Sequence, residues 1–372
     1  MKIFLIDWNN MTPQYTYPLI HHLNKKKSIT LFFVTNNDPL DKKHFYFYQI
    51  KFLSTFLSCN FSSYFLRIII KPFILFFNYI ILIIKTIILK PDIIHYNWLC
   101  IPVIDLFFIK IFKFLNCKVL LTKHNYFQHN KNSLIFKEKS IFKQSDRIFC
   151  LSSFVKNQFD DIIQKKITII PHRNCYEDVI KSQKPIVRSE NKPLKLLLIG
   201  NIKKYKGIDL IIEVVKHLKE NNFSVFLNIV GPGESSYVKK ILKKIEKLNL
   251  SNNILIKNKF LNFKSFCKTI NDADIGVIPY IRASQSGIPY LFYSYNKPLV
   301  VSNIGGLKEQ TNKKLSIISN IDVKEFANCI IKMDKKIRNN EIIEKDFKKF
   351  LNKNIWNKTI KDYYFEYEKI KN

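Results

Sequence analysis

The chain has 372 residues, enough for two domains of ordinary size, and its 47% hydrophobic residues can fill two cores. Sixty-one Lys and Arg against 29 Asp and Glu leave a net charge of +32, which suggests an anionic partner, yet no RRM, helix-turn-helix or zinc-finger pattern accompanies the lysines and no nucleic-acid partner is expected. The seven cysteines are odd in number and form no C-x-x-C pair, which argues against a disulfide framework or a zinc site and for free thiols in a reducing cytoplasm.

Lys2 to Ile6 predicts the first strand; it meets Asp7 rather than a cleavage site, so it reads as a buried strand and not as a secretory leader. Tyr15 to Leu23 has helical spacing with His21-His22 on its surface, and Ser28 to Thr35 predicts the second strand. Phe45 to Lys90 is aromatic, aliphatic and punctuated by lysine. Its run Phe73 to Ile84 is too short to span a bilayer, where about 20 apolar residues are needed. Phe65 to Leu89 is long enough but is interrupted by Arg67, Lys71, Pro72, Asn78 and Lys85. Three readings stay open there: a buried or half-buried helix pair, a peripheral element on an anionic membrane surface, and a spanning helix.

Asp92 to Tyr96 predicts a strand with Asn97-Trp98 at its end, and Val103 to Leu115 a helix. The strand Lys118 to Thr122 delivers Lys123-His124-Asn125 at its tip. Ser133 to Gln144 predicts a helix capped by Ser133, Arg147 to Leu151 a strand followed by a Ser152-Ser153 cap, and Ile167 to Ile170 a strand ending in Pro171-His172. The polar stretch 182–193 reads as a linker, after which the strand–helix alternation restarts at Leu194. This alternation predicts an α/β fold of two doubly wound, Rossmann-like domains with ligands at the carboxyl ends of the strands, facing a cleft.

In the second half, Gly200 to Gly207 (G-N-I-K-K-Y-K-G) lies between a strand and a helix but is neither a Walker loop nor G-x-G-x-x-G. Lys203 and Lys206 could set ammonium groups against a diphosphate. The strand ending at Val230 leads into Gly231-Pro232-Gly233. Between the strands at Asp274 to Tyr280 and Pro298 to Ser302, the loop Ser284-Gln285-Ser286-Gly287 can open a helix running to about Tyr295, whose first amides would face an anion. Gly305-Gly306 makes a second close-approach loop. Asp272-Ala273-Asp274 starts a strand rather than ending one, so Asp272 reads as a turn residue and not as a metal ligand.

The order G-x-I-x-x-Y-K-G, V-G-P-G, D-A-D-I-G-V-I-P-Y, S-Q-S-G, K-P-L-V-V-S, G-G-L-x-E over Leu194 to Glu309 resembles the C-terminal domain of the retaining, GT-B-fold glycosyltransferases of family 4. His124, Asn125 and His129 (H-N-x-x-x-H), with Ile170-Pro171-His172, are similar to a branch of that family associated with polysaccharide assembly. The resemblance implies a nucleotide-sugar donor, no metal and no other cofactor. It implies an acceptor-binding domain over 1–181, the linker 182–193, a nucleotide-sugar-binding domain over 194–345, and a helical segment 346–372 packing back towards the first domain. Gly200, Lys203, Lys206, Gly231, Gln285, Ser286, Gly287 and Glu309 are the implied donor-binding residues, and His124 is the implied catalytic group, orienting acceptor or sugar. Asp7, Trp8, Asn125 and His129 fall on the acceptor side. Asp7 is the best candidate for a base, although a turn role suits it as well, and a retaining reaction requires no strong base.

The family's E-x7-E signature is missing: its glutamates would fall at Ser284 and Phe292, as in the branch with S-Q-S-G, leaving Gln285 or Glu309 to replace some hydrogen bonds. The expected function is transfer of a sugar to a glycan or lipid-linked oligosaccharide in surface polysaccharide biosynthesis. The expected location is cytoplasmic, peripheral on the inner face of the plasma membrane, with 65–89 as the contact. The alternative is a non-catalytic homologue that binds anionic glycans or lipids on the same scaffold.

Overall fold

The structure is a computed structural model and describes residues 1–36, 64–125, 135–174 and 192–371. Ser133, His129 and nearly all of the 182–193 stretch therefore lie outside the described residues. Two compact units divide the chain: Met1–Pro171 with Trp356–Asn372, and His172–Ile355.

The first unit is built on a wholly parallel sheet of six strands: β1 (Lys2–Ile6), β2 (Thr30–Val34), β3 (Ile93–Tyr96), β4 (Lys118–Lys123), β5 (Arg147–Cys150) and β6 (Ile167–Ile169). Their order is β2-β1-β3-β4-β5-β6. Strands buried on both faces need near-continuous apolar runs, and β1 and β3 supply them. The crossovers are α1 (Pro13–Asn24), α2 (Tyr64–Leu89), α3 (Pro102–Phe114), α4 (Ile135–Gln144) and the short α5 (Ser153–Lys156) and α6 (Asp161–Gln164). Ser152 caps α5 as its sequence predicts, its side chain accepting the Val155 amide at 3.3 Å. α2 is one continuous helix through Pro72. The described part of the Phe45 to Lys90 stretch is thus a single helix, and 45–63, where the helix pair read from sequence would have its other member, lie outside the described residues.

The helix Trp356–Lys371 belongs to this unit. Tyr363 hydrogen-bonds Tyr15, the Tyr367 hydroxyl meets His95 Nδ1 at 2.7 Å, and Arg147 pairs with Glu366 at 3.2 Å. Trp356 is buried and lies parallel to the ring of His22, whose Nδ1 is 3.0 Å from Asn357 Oδ1. His22 is therefore part of a packed helix seam rather than of the helix surface.

The second unit repeats the plan with β7 (Leu194–Ile199), β8 (Val225–Val230), β9 (Ile254–Lys257), β10 (Ile275–Ile278), β11 (Leu299–Ser302) and β12 (Ser316–Ser319), all parallel in the order β12-β11-β10-β7-β8-β9. Its helices are α7 (Ile208–Glu220), α8 (Ser235–Lys247), α9 (Phe263–Asn271), α10 (Ile288–Tyr293), α11 (Val323–Arg338) and α12 (Glu344–Lys353). α10 is shorter than the Ser284 to Tyr295 span read from sequence. Ser286 Oγ accepts the Ile288 amide at 3.2 Å and so holds the preceding residues out of the helix, while Asn296 turns left-handed at φ 55° beyond it. The unit begins at His172 because the Tyr290 hydroxyl donates to its carbonyl at 2.8 Å and the Asn174 amide donates to the Asn354 carbonyl at 3.2 Å. The compact units divide after 171 and 355, whereas the divisions read from sequence fall at 181, outside the described residues, and at 345.

Candidate active site

In a doubly wound sheet, two neighbouring strands whose connections leave to opposite sides open a crevice at their carboxyl ends. In the first unit that point lies between β1 and β3, since β1 pairs with both β2 and β3. Asp7 follows β1, Asn97 follows β3 and His124 follows β4. All three are buried and form a chain. His124 Nε2 lies 3.0 Å from Asn97 Oδ1, and Asn97 Nδ2 donates to Thr16 Oγ1 at 2.9 Å and to Asp7 Oδ2 at 3.4 Å. An amide oxygen only accepts, so this contact puts the proton of a neutral His124 on Nε2 and the lone pair on Nδ1. Trp98 stacks on the imidazole at 4.4 Å with 3° between the planes, and the Tyr15 ring meets it edge-on. Trp98 is itself tethered, its indole N–H donating to Thr12 Oγ1 at 2.9 Å.

Asp7 also accepts the Met11 amide on both oxygens at 3.1 Å. Burial pushes its carboxyl up to about 7, and these hydrogen bonds oppose the rise only in part. The folded state therefore takes up the Asp7 proton well above pH 3.8, where the unfolded chain takes it. The stability from this group is fully present below that lower value and is lost as pH rises through about 7. Asp7→Asn stays neutral throughout. Its melting temperature relative to wild type should climb by several degrees between pH 5 and pH 8, whereas a difference independent of pH would show that the carboxyl titrates normally. His95, pushed down by burial to about 3 between Tyr367 and Thr122, acts in the opposite direction and drops out of that comparison.

Trp8, placed on the acceptor side from sequence, is instead a core residue, 1% exposed and packed edge-on against Tyr79. Asn125 is half-buried beside His124. Sequence spacing does not mark Asn97, Trp98, Tyr15 and Thr12 as site residues, because what gives them a role is contact between elements.

In the second unit the corresponding point lies between β7 and β10, since β7 pairs with both β8 and β10. Lys206 reaches it from a 3-10 turn (Lys204–Lys206) after β7, and Tyr280 comes from the end of β10. Lys206 is 8% exposed, and its ammonium donates to the Tyr280 hydroxyl at 2.6 Å and sits 4.4 Å from that ring's centre. Burial opposes its charge, but Tyr280 and Tyr205 more than offset this and its pKa is raised. Among the described residues no carboxylate pairs with it.

The floor beneath the ammonium is backbone. Gly200 (φ 116°) would place a Cβ 3.2 Å from Lys206 Nζ, and a Cβ on Gly231 (φ 147°) would stand 2.2 Å from the Gly200 carbonyl oxygen. Only glycine allows both conformations and this approach. Lys203 is exposed and instead lines a surface cavity of about 710 Å³ with Lys204, Gly233, Tyr237 and Phe260.

The S-Q-S-G loop is held from within. The Ser286 amide donates to Gln310 Oε1 at 2.7 Å, and Gln310 Nε2 donates to Gln285 Oε1 at 3.3 Å. The Ser286 amide thus has a protein partner, contrary to its reading as an open anion donor. Gln310 is 2% exposed and makes these contacts, whereas Glu309 beside it is exposed. A Cβ on Gly287 would come within 3.2 Å of the His172 ring, which burial pushes down to about 4. Gly305 (φ 54°) lets its loop lie on the Ala283 carbonyl, and the Gly306 amide donates to Ser284 O at 3.0 Å. Asp274 anchors β10, accepting the Lys195 amide at 2.8 Å, and Asp272 ends α9.

Comparison with known proteins gives the same division. A model described as Glycosyltransferase Family 4 matches residues 14–172, and one described as Glycosyl transferases group 1 matches 193–335. The uncharacterized glycosyltransferase MJ1178 of Methanocaldococcus jannaschii is 27% identical over 192 residues, 49% of this chain and 49% of that protein. The chain thus spans about half the length of this curated relative. A glycosyltransferase from Rickettsia africae superposes with TM-score 0.72 at 17% identity, covering 99% of this chain and 98% of that one. Anabaena Alr3699/HepE in complex with UDP and glucose gives TM-score 0.72 at 13% identity, covering 98% of each chain.

Proposed function

We propose that the chain is a glycosyltransferase with the GT-B fold, moving a sugar from a nucleoside diphosphate onto a glycan or lipid-linked acceptor in surface polysaccharide assembly. The observation that carries this reading is Lys206. A buried ammonium with no carboxylate partner among the described residues, set over the glycine pair Gly200 and Gly231, suits a diphosphate that must leave as an anion. The HepE structure holds UDP and glucose, which makes a uridine nucleotide the first donor to try.

In the reaction we infer, the acceptor oxygen bonds the sugar's anomeric carbon as the bond from that carbon to the phosphate oxygen breaks. Lys206 stabilises the departing diphosphate, whose oxygen can take the acceptor's proton. His124, held flat under Trp98, orients a sugar or acceptor hydroxyl. The Asp7 carboxyl oxygens are already engaged by Met11 and Asn97, which leaves them less open to an acceptor hydroxyl. We assign the chain no metal or other cofactor and a cytoplasmic location.

A second reading keeps one specific observation in its favour. Ser284 and Phe292, where the family's glutamates would fall, are both buried, Phe292 wholly in the core. A non-catalytic glycan or lipid binder would accept that. A thermal-shift screen with UDP, GDP, CMP, ADP and their common sugars separates the two. A donor at 100 times its dissociation constant stabilises by about 2.7 kcal/mol. A shift with one nucleotide class, lost in Lys206→Ala, is the expected result, and no shift with any would favour the binder.

A further inference from the structure

A helix on the surface of a protein in water turns its polar residues out and its apolar residues in. α2 does the reverse. Asn78 (0% exposed) and Thr86 (3%) face inward with Leu75, Tyr79 and Leu82, while Phe73 (66%), Phe77, Ile84 and Ile88 (70%) face out. α3 adds Val103, Phe107 and Phe114 at the spacing of one helix face. The two outer faces are continuous, because Phe76 of α2 stacks on Phe107 of α3 at 6.4 Å with 27° between the rings.

The charge on this surface has one sign. α2 contains no Asp or Glu. The single carboxylate of α3, Asp105, is fully buried, accepting the Tyr79 hydroxyl at 2.6 Å and the Cys100 amide at 2.8 Å. Lys90 and Lys110 are exposed at its margin and within it, and Lys85 is half-buried with a stem long enough to reach a headgroup layer. An apolar face that carries cations and, among the described residues of the two helices, no exposed carboxylate complements an anionic lipid surface.

Ile69–Leu89 is by length and composition able to cross a bilayer. Its packing argues for lying flat. Leu75, Tyr79 and Leu82 are part of the sheet core, and Tyr79 stacks on Phe108 at 4.3 Å. Drawing the helix upright through a membrane would strip that core. We propose that the joined outer faces of α2 and α3 seat the first unit on an anionic bilayer, both helices lying at the boundary between headgroups and acyl chains. This does not rest on the transferase reading.

The test is flotation of the full chain with vesicles of phosphatidylcholine alone or mixed with phosphatidylglycerol. The chain should float with the anionic vesicles. Phe73→Glu with Phe77→Glu should cut the bound fraction by roughly tenfold with the circular dichroism spectrum unchanged. Lys90→Glu with Lys110→Glu should remove the preference for anionic lipid. Phe77→Trp gives a depth reporter, expected to be quenched by lipids brominated on the acyl chain. Failure to float, or an unquenched tryptophan, would overturn the proposal. So would a dimer in sedimentation that the Phe73/Phe77 pair abolishes, since a second copy would then cover the face. Resistance to alkaline carbonate would instead mean that the helix crosses.

Discussion

Lys206→Ala should lower kcat/KM for sugar transfer by roughly 10²–10³-fold, the usual effect of removing one preorganised group from developing negative charge. The expectation follows from where the ammonium sits. It is buried, so its field is little screened, and Tyr280 fixes it without neutralising it. The fold should survive, because the variant removes a buried charge rather than a packed apolar side chain. Lys206→Arg should not rescue activity. The Lys206 nitrogen already lies 3.2 Å from the space above Gly200, and a guanidinium is larger and planar. Lys203→Ala is the control: that lysine is exposed, so its loss should change KM only severalfold and more at low salt than at high. Transfer by Lys206→Ala within about threefold of wild type, where a preorganised contact predicts far more, would remove the lysine from the mechanism.

The sequence made Lys206 visible because a strand, a glycine-flanked loop and a helix occur there within one short stretch. It did not show Tyr280, which fixes the ammonium from the tip of a strand 74 residues away. The same limit explains Gln310. G-G-L-K-E-Q offers two adjacent side chains able to serve the S-Q-S-G loop, and the register of a 3-10 turn (Lys308–Gln310) decides that Gln310 points in and Glu309 out. Trp8 and His22 were misplaced for a related reason. Each sits next to a polar residue at the end of an element, yet tertiary partners, Tyr79 for one and Trp356 for the other, take them into the interior. The strands were legible throughout, since parallel strands covered on both faces are apolar runs whatever packs on them. α2 was readable only as three alternatives. Its composition is the same in each, and the inward turn of Asn78 and Thr86 appears only in the fold.

Gly207→Ala should both destabilise the second unit and disarm Lys206, and the two effects have one origin. Gly207 is left-handed at φ 70°, ending the turn that carries Lys206 and beginning α7. A Cβ there would stand 1.7 Å from the Pro279 carbonyl oxygen, a backbone atom at the end of β10 that no rotamer change can move aside. The left-handed conformation and the clash together should cost about 3 kcal/mol. For a unit of this size that is a fall of roughly 6–12 °C in melting temperature. The same approach lets the Ile281 amide donate to the Tyr205 carbonyl at 2.9 Å, which holds the turn against Tyr280. Relief of the clash must separate the two strand ends and lengthen the contact from Lys206 to Tyr280. Residual folded protein, assayed well below its melting point, should therefore bind nucleotide more weakly than wild type. Lys206→Ala should lose nucleotide without losing stability, and Gly207→Ala should lose both. A Gly207→Ala protein with wild-type melting and wild-type nucleotide affinity would mean that the turn has another conformation open to it, and that the close approach to Pro279 does not aim the lysine.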